Sequence, residues 1–299
     1  MTKLKREQFA LGSFHYPRYS LKYFLDSAQR LGFENVEIWG VAPWAYPEDL
    51  SAADCENIRR EIESRGLKHI CYCPEQNTYP INIAASLPQV RERSLKIMEK
   101  AIQVCAATGS QTFLLCPGSG SLDEDFEEGW KLRRESVERL VKTAEREGVT
   151  MVIETQNFDD CNDMHTVAEQ RRLLDEVDHP NFKAMIDVSQ MTQFGDTVAD
   201  NLRVLGDDLR HMHLTAAYDP CLDLTLQGEE LRERYPYGRP ISTHMDFRGG
   251  NNPILRYLRE MGEGGYRHYV TIEICSRECY IDAETAAQRA FEIALESTR

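Results

Sequence analysis

The sequence predicts a single-domain (β/α)8 barrel of the α/β class. Three observations carry that expectation: short apolar, β-branched runs alternate with helical stretches, the alternation recurs eight times at one spacing, and 299 residues suit a parallel sheet closed at eight strands. A doubly wound open sheet is the structural alternative. With no domain linker, low-complexity tract or charge block in view, the expected unit is residues 1–299, with a long insert at about 215–251 after the seventh strand.

The first strand is the run Phe9-Ala-Leu-Gly-Ser-Phe14. Leu21, Phe24, Leu25, Ala28 and Leu31 follow at helical spacing and stop at Gly32. Val36-Glu-Ile-Trp39 is the second strand, and its helix runs from near Ser51 to Gly66. The third strand is Lys68–Cys73; Leu95, Met98, Ile102 and Cys105 then share one face of a helix ending at Gly109. Gln111–Cys116 is the fourth strand, and Val137, Leu140, Val141 and Ala144 mark the helix that closes before Gly148. The fifth strand starts at Val149 and ends abruptly at Glu154, with its helix at about Thr166–Val177. Phe182–Asp187 and Leu209–Leu214 are the sixth and seventh strands, with a helix at about Val198–Leu209 between them. After the polar stretch Thr215–Asn251 come a helix at Pro253–Met261, the eighth strand at His268–Cys275 and a closing helix at Ala283–Glu296.

Composition narrows the function classes. A formal net charge of −14 argues against a general binder of nucleic acid or anionic membrane, whose affinity comes from a basic surface. No apolar run reaches membrane-spanning length, and Met1–Gln8 lacks an apolar signal core. Nine cysteines lie scattered without a C-x-x-C pair, the pattern of reduced thiols in a cytoplasmic protein.

In such a barrel the chemistry sits where strands end and βα loops begin. The fifth strand ends in Glu154, the sixth in Asp187, the seventh in His213 and the eighth in Glu273. The second strand adds Glu37 and the loop after the third adds Glu75. Uncompensated, so many converging carboxylates would raise one another's pKa and destabilise the fold. A divalent cation resolves the conflict, and oxygen-rich ligation with one imidazole suits Mn²⁺, Mg²⁺ or Co²⁺ better than Zn²⁺. Taken singly, each acid reads as a helix cap or surface ion pair, and His213 as a core histidine. Four on successive strands do not. Lys68 and Lys183 begin their strands rather than ending them, which weighs against a Schiff-base aldolase. Gly118-Ser-Gly120 lacks the spacing of a dinucleotide fingerprint and reads as a turn.

Through Glu154, Asp187, His213 and Glu273, with Val36-Glu-Ile-Trp39, the chain resembles the xylose isomerase-like barrel superfamily. Within it the chain is similar to the ketose 3-epimerases, and among these to the fructoselysine 3-epimerases. That similarity rests on Glu37-Ile-Trp-Gly40, on Tyr72-Cys-Pro-Glu-Gln-Asn77 with Tyr79-Pro80, and on Leu209-Arg-His-Met-His-Leu214. It runs over nearly the whole chain. The resemblance implies a sugar epimerase in which Glu154, Asp187, His213 and Glu273 bind the metal while Glu154 and Glu273 form the acid/base pair. One glutamate would remove the proton α to a ketose carbonyl, and the other would return it to the opposite face of the enediolate. His211 is the rival for the metal position, and the alignment through Asp187 favours His213.

The chain also departs from the family. Gln190 stands where free-hexulose 3-epimerases carry histidine, and Asp219 where they carry arginine. Thr155-Gln-Asn-Phe-Asp-Asp160 replaces the usual Pro-Leu-Asn after Glu154. The substrate-binding candidates are Glu37, Trp39, Glu75, Asn77, Gln190, His244 and Arg248. Trp39, with Trp44 and Tyr46, offers an apolar wall or ordinary loop packing. His244 and Asp246 lie in Thr243-His-Met-Asp-Phe-Arg-Gly-Gly250, and Arg248 there would hold an anionic group or simply turn the chain into a helix. The expected partner is a small-molecule sugar, with neither nucleic acid nor membrane. The insert either covers the site or joins copies of the chain, which leaves a homo-oligomer open. A keto-inositol dehydratase on the same barrel and a non-catalytic sugar-binding barrel are the alternatives; a DNA-repair endonuclease is disfavoured by the acidic charge and the few histidines.

Overall fold

Eight parallel strands pair edge to edge until the sheet meets itself. In this computed structural model, which describes residues 3–41, 43–76, 81–220, 226, 228–236 and 238–299, they are β1 Phe9–Gly12, β2 Asn35–Gly40, β3 Lys68–Pro74, β4 Thr112–Leu115, β5 Thr150–Ile153, β6 Phe182–Asp187, β7 Leu209–Leu214 and β10 Tyr269–Ile272. The closed order is β1-β10-β7-β6-β5-β4-β3-β2. Around it run α1 Leu21–Leu31, α2 Ala52–Glu63, α3 Pro88–Ala107, α4 Phe126–Arg146, α5 Val167–Val177, α7 Val198–Leu205, α9 Ile254–Glu263 and α10 Ala283–Glu296. The expected barrel is present.

Local chemistry sets the helix ends. Ser20 accepts from the Tyr23 amide to start α1, and Gly32 closes it in the left-handed region at φ 78°. Ser51, Thr166 and Thr197 each form a reciprocal capping box with the acid three residues on, at the starts of α2, α5 and α7.

Alternation along each strand divides the residues between two cores. Val36, Ile38, Tyr72, Phe113, Leu115, Met151, Ile153, Ile186, Met212, Val270 and Ile272 join the large apolar layer between sheet and helices. Ala10, Phe14, Ile70, Cys71, Cys73, Leu114, Cys116, Val152 and Met185 form a smaller cluster on the other face, inside the barrel. That inner face is therefore where Glu37, Glu154, Asp187, His211, His213, Thr271 and Glu273 project: Glu37, His211 and Thr271 pair in register with Cys71, Met185 and Ala10, and Glu154, Asp187, His213 and Glu273 each lie two residues beyond an inward-facing position.

Two features depart from the sequence expectation. A six-residue helix, α6 Val188–Gln193, follows β6 directly. Its polar run is too short to show helical periodicity, and Asp187 starts it by accepting from the amides of Ser189 and Gln190 at 2.6 and 3.3 Å. The polar stretch after β7 is also structured: β8 Ala216–Tyr218 pairs antiparallel with β9 Ser242–Met245, and α8 Gly228–Arg234 lies between them. Asn252 receives the Ala217 amide at 2.9 Å and donates to the Thr215 carbonyl at 3.0 Å, so a side-chain amide finishes the edge of β8. Arg239, 3% exposed, pairs with Asp219 at 3.1 Å and donates to the Leu226 carbonyl at 2.6 Å, tying the segment together from within.

Candidate active site

The strand ends at the C-terminal mouth surround a pocket of about 270 Å³. Phe14, Trp39, Cys73, Cys116, Cys275 and Tyr280 give it an apolar side, with Phe14 and Trp39 stacked at 5.7 Å. Glu75, Glu154, Gln156, Asp160, Gln190, His213, His244 and Glu273 give it a polar side. Larger depressions of about 320 and 470 Å³ lie at the opposite strand ends. Neither holds a comparable cluster of ligating groups among the described residues, so chemistry rather than size marks the site.

Glu154, Asp187 and His213 each bring one ligating atom within 4.8 Å of the others, and Asp187, His244 and Glu273 do the same. Asp187 belongs to both sets and joins them. Its Oδ1 accepts from Ser189, Gln190 and the Thr215 hydroxyl at 2.7 Å, whereas its Oδ2 is buried without a hydrogen bond among the described residues. Glu273 Oε2 is likewise buried without one, although His213 Nδ1 lies 2.8 Å away, out of line for a hydrogen bond. His244 Nε2 stands 3.3 Å from Asp187 Oδ2 and 3.5 Å from Glu273 Oε2. Gln156 donates to Glu154 at 2.7 Å.

The electrostatics register the crowding. Burial, reinforced by Asp187 and Glu273, pushes the Glu154 carboxyl well above its usual range despite His213. Burial alone would raise Glu273 too, but His244 and His213 hold it below its ordinary value. Burial opposes a charge on His213, and Glu37 and Glu273 override it and raise the imidazole well above its usual value. Buried, orphaned carboxylate oxygens aimed at one point beside an imidazole nitrogen are what a divalent cation requires, and the oxygen-rich set fits Mn²⁺, Mg²⁺ or Co²⁺. The residues fit the group.

Of the other sequence candidates, Trp39, Glu75, Gln190 and His244 line the pocket. Gln190 sits on α6, 3% exposed, with its Oε1 unsatisfied. His244 reaches the cluster from β9 with φ +58°, a conformation uncommon outside glycine. The Cys275 amide donates to its carbonyl at 2.9 Å and Thr243 Oγ1 shares a 2.8 Å bond with its Nδ1, which hold that geometry.

Two candidates need correction, and a third cannot be placed. Glu37 is wholly buried beneath the pocket with both oxygens engaged by His211, His213 and Thr271, so it does not reach a substrate. Arg248 is exposed on the surface and paired with Asp246 at 3.3 Å, away from the pocket lining. Asn77 and the Tyr79-Pro80 pair lie outside the described residues. Trp44 and Tyr46 also stay out of the pocket: Trp44 stacks on Phe24 at 6.1 Å and Tyr46 bonds Glu48. His211 lies one layer deeper than His213 and bonds Glu37 at 2.8 Å. Phe14, Cys73, Cys116, Cys275 and Tyr280 were not among the sequence candidates. For the cysteines a signal existed, since each stands two residues beyond another inward-facing position; Tyr280 had none.

The Xylose isomerase-like TIM barrel family matches residues 25–297. The chain is 24% identical over 271 residues to the fructoselysine 3-epimerase of Shigella flexneri, covering 91% of this chain and 90% of that protein. Among solved structures, 3-keto-D-glucoside 4-epimerase from E. coli superposes with a TM-score of 0.73 at 17% identity, over 96% of this chain and 99% of that one. D-psicose 3-epimerase from Clostridium cellulolyticum, solved with D-tagatose, gives 0.72 at 16% identity, over 97% and 99%. At these identities the structural likenesses establish a shared fold.

Proposed function

The chain belongs to the xylose isomerase-like TIM barrel family, and on that footing we propose that it is a divalent-metal-dependent sugar epimerase or isomerase acting on a ketose or modified ketose through an enediolate. The similarity to epimerases of fructoselysine and psicose supports the reaction class. One observation carries the reading: Glu154 and Glu273 follow β5 and β10, on either side of Asp187 on β6 and His213 on β7. Two carboxyl groups flanking one bound carbon are the minimum for removing a proton from one face and returning it to the other.

Glu154, Asp187, His213 and Glu273 would hold the cation, which when bound supplies positive charge for the oxyanion of the enediolate. Glu273, kept ionised by His244 and His213, removes the C3 proton. The electron pair of that C–H bond moves into the C2–C3 bond as the carbonyl π pair moves onto oxygen. Glu154, on the other side of the bound carbon, delivers a proton to the opposite face of C3. In reverse the two exchange roles. Among the described residues no lysine or arginine lines the pocket, so a neutral sugar head suits it better than a phosphorylated one. Gln190, Gln156 and Asp160 offer partners for hydroxyls, and Trp39 with Phe14 offers a face for the carbon skeleton. Among the described residues no helix is long and apolar enough to cross a membrane, and a cytoplasmic location is part of the proposal.

The test is to strip the protein with chelator, reload it with Mn²⁺ and follow free and amine-linked ketoses by NMR. We expect metal to restore conversion of one of them at conserved mass. Loss of water from the product would point to the dehydratase. Neither turnover nor cation binding would point to a sugar-binding barrel.

A further inference from the structure

Beneath the pocket lies a carboxylate that the proton transfer does not use. Glu37 starts on β2, and the closed order β2-β1-β10-β7 makes it cross the barrel interior to meet His211 and His213. It is 0% exposed, where an ionised carboxylate without partners would cost several kcal/mol. Three donors close on it: Thr271 Oγ1 and His211 Nε2 on Oε2 at 2.6 and 2.8 Å, and His213 Nε2 on Oε1 at 3.0 Å. An ionised carboxylate only accepts, so both imidazoles carry a proton on Nε2. For His213 the other ring nitrogen, Nδ1, is the one that faces Glu273 across 2.8 Å.

We propose that Glu37 is a positioning residue that holds His213 as its Nε2–H tautomer and so presents the Nδ1 lone pair to the cation site. The inference rests on the metal-dependent reading above. His211 and Thr271 share Oε2, which keeps the carboxylate from rotating and Oε1 turned toward His213. Both are 1% exposed or less, so water does not compete for these bonds. The negative charge of Glu37 also makes His213 a more basic ligand, the arrangement by which a carboxylate behind a metal-bound histidine strengthens binding about 10–100-fold. This assigns to the Glu37-Ile-Trp-Gly40 stretch a task below the pocket and not in it.

The test has two arms. In protein labelled with ¹⁵N-histidine and loaded with diamagnetic Mg²⁺, His213 should show a protonated Nε2 and a bare Nδ1; the reverse tautomer would overturn the proposal. Calorimetric titration with Mn²⁺ should find Glu37→Gln weaker than the unsubstituted protein by roughly 10–100-fold, with a folded circular-dichroism spectrum. Equal affinity in the folded variant would overturn it. Where Glu37→Gln does not fold, the tautomer in the unsubstituted protein decides alone. If the unsubstituted protein itself binds no divalent cation, it is the metal reading that fails; if it binds and the variant binds equally, the Glu37 proposal alone fails.

Discussion

Gln190 reaches the pocket wall from α6. Its amide stays almost fully buried with Oε1 unsatisfied at the pocket wall, so a substrate hydroxyl that donates there relieves a standing cost. Gln190→Ala should raise KM by about tenfold, the equivalent of ~1.4 kcal/mol, with kcat nearly unchanged. Steady-state kinetics on the accepted ketose checks this, and an unchanged KM would place Gln190 outside the recognition surface. At this scale the sequence was informative where a polar side chain ends a greasy strand, as at Glu154 and Asp187. It was misleading for Glu37, which looks the same in one dimension. What separates them is depth: Glu37 faces inward two residues before Trp39, one layer below the mouth. Only the far side of the barrel, with His211 and His213, reveals its partners.

Most elements were legible as elements. Leu209–Leu214 and Ala283–Glu296 coincide with their expected bounds, because apolar periodicity and caps agree there. The segment after β7 was not legible. Its strands span only Ala216–Tyr218 and Ser242–Met245, too short for alternation to show, and side-chain amides of Asn251 and Asn252 do much of the pairing. This segment carries His244 into the carboxylate cluster, and Asp219 within it pairs with Arg239. Removing one member of a buried pair is costly. Asp219→Ala should destabilise by about 3–5 kcal/mol in urea unfolding. It should also weaken Mn²⁺ binding as β9 loosens its hold on His244. A variant as stable as the parent would show that the pair does not organise this segment.

At the scale of the whole molecule, the closed barrel makes one end of every strand face one pocket, so inward residues from β5, β6, β7 and β10 meet without being near in sequence. The same closure buries titratable groups that have no part in the chemistry. Burial pushes His15 down to about 3 and His69 down to about 4. Both are neutral in the folded chain while the unfolded chain protonates below about 6.5. Their contribution is therefore intact above that pH and is lost as pH falls from about 6.5 toward the folded values, at about 1.4 kcal/mol per pH unit for each histidine. In urea unfolding series between pH 7 and 5, His15→Leu should flatten the decline by about that slope. An unchanged slope would mean that His15 protonates in the folded state.

In the proposed reaction Glu154 and Glu273 move a proton on and off C3 of a ketose from two sides. Proton NMR of the reaction in D₂O with Mn²⁺-loaded protein tests it most directly, with quench and removal of the paramagnetic ion before recording. The expected result is deuterium at C3 of the epimer formed by the unsubstituted protein, and no epimer from either Glu154→Gln or Glu273→Gln. An epimer that retains its original hydrogen at C3, or that either variant still forms at the full rate, would contradict it.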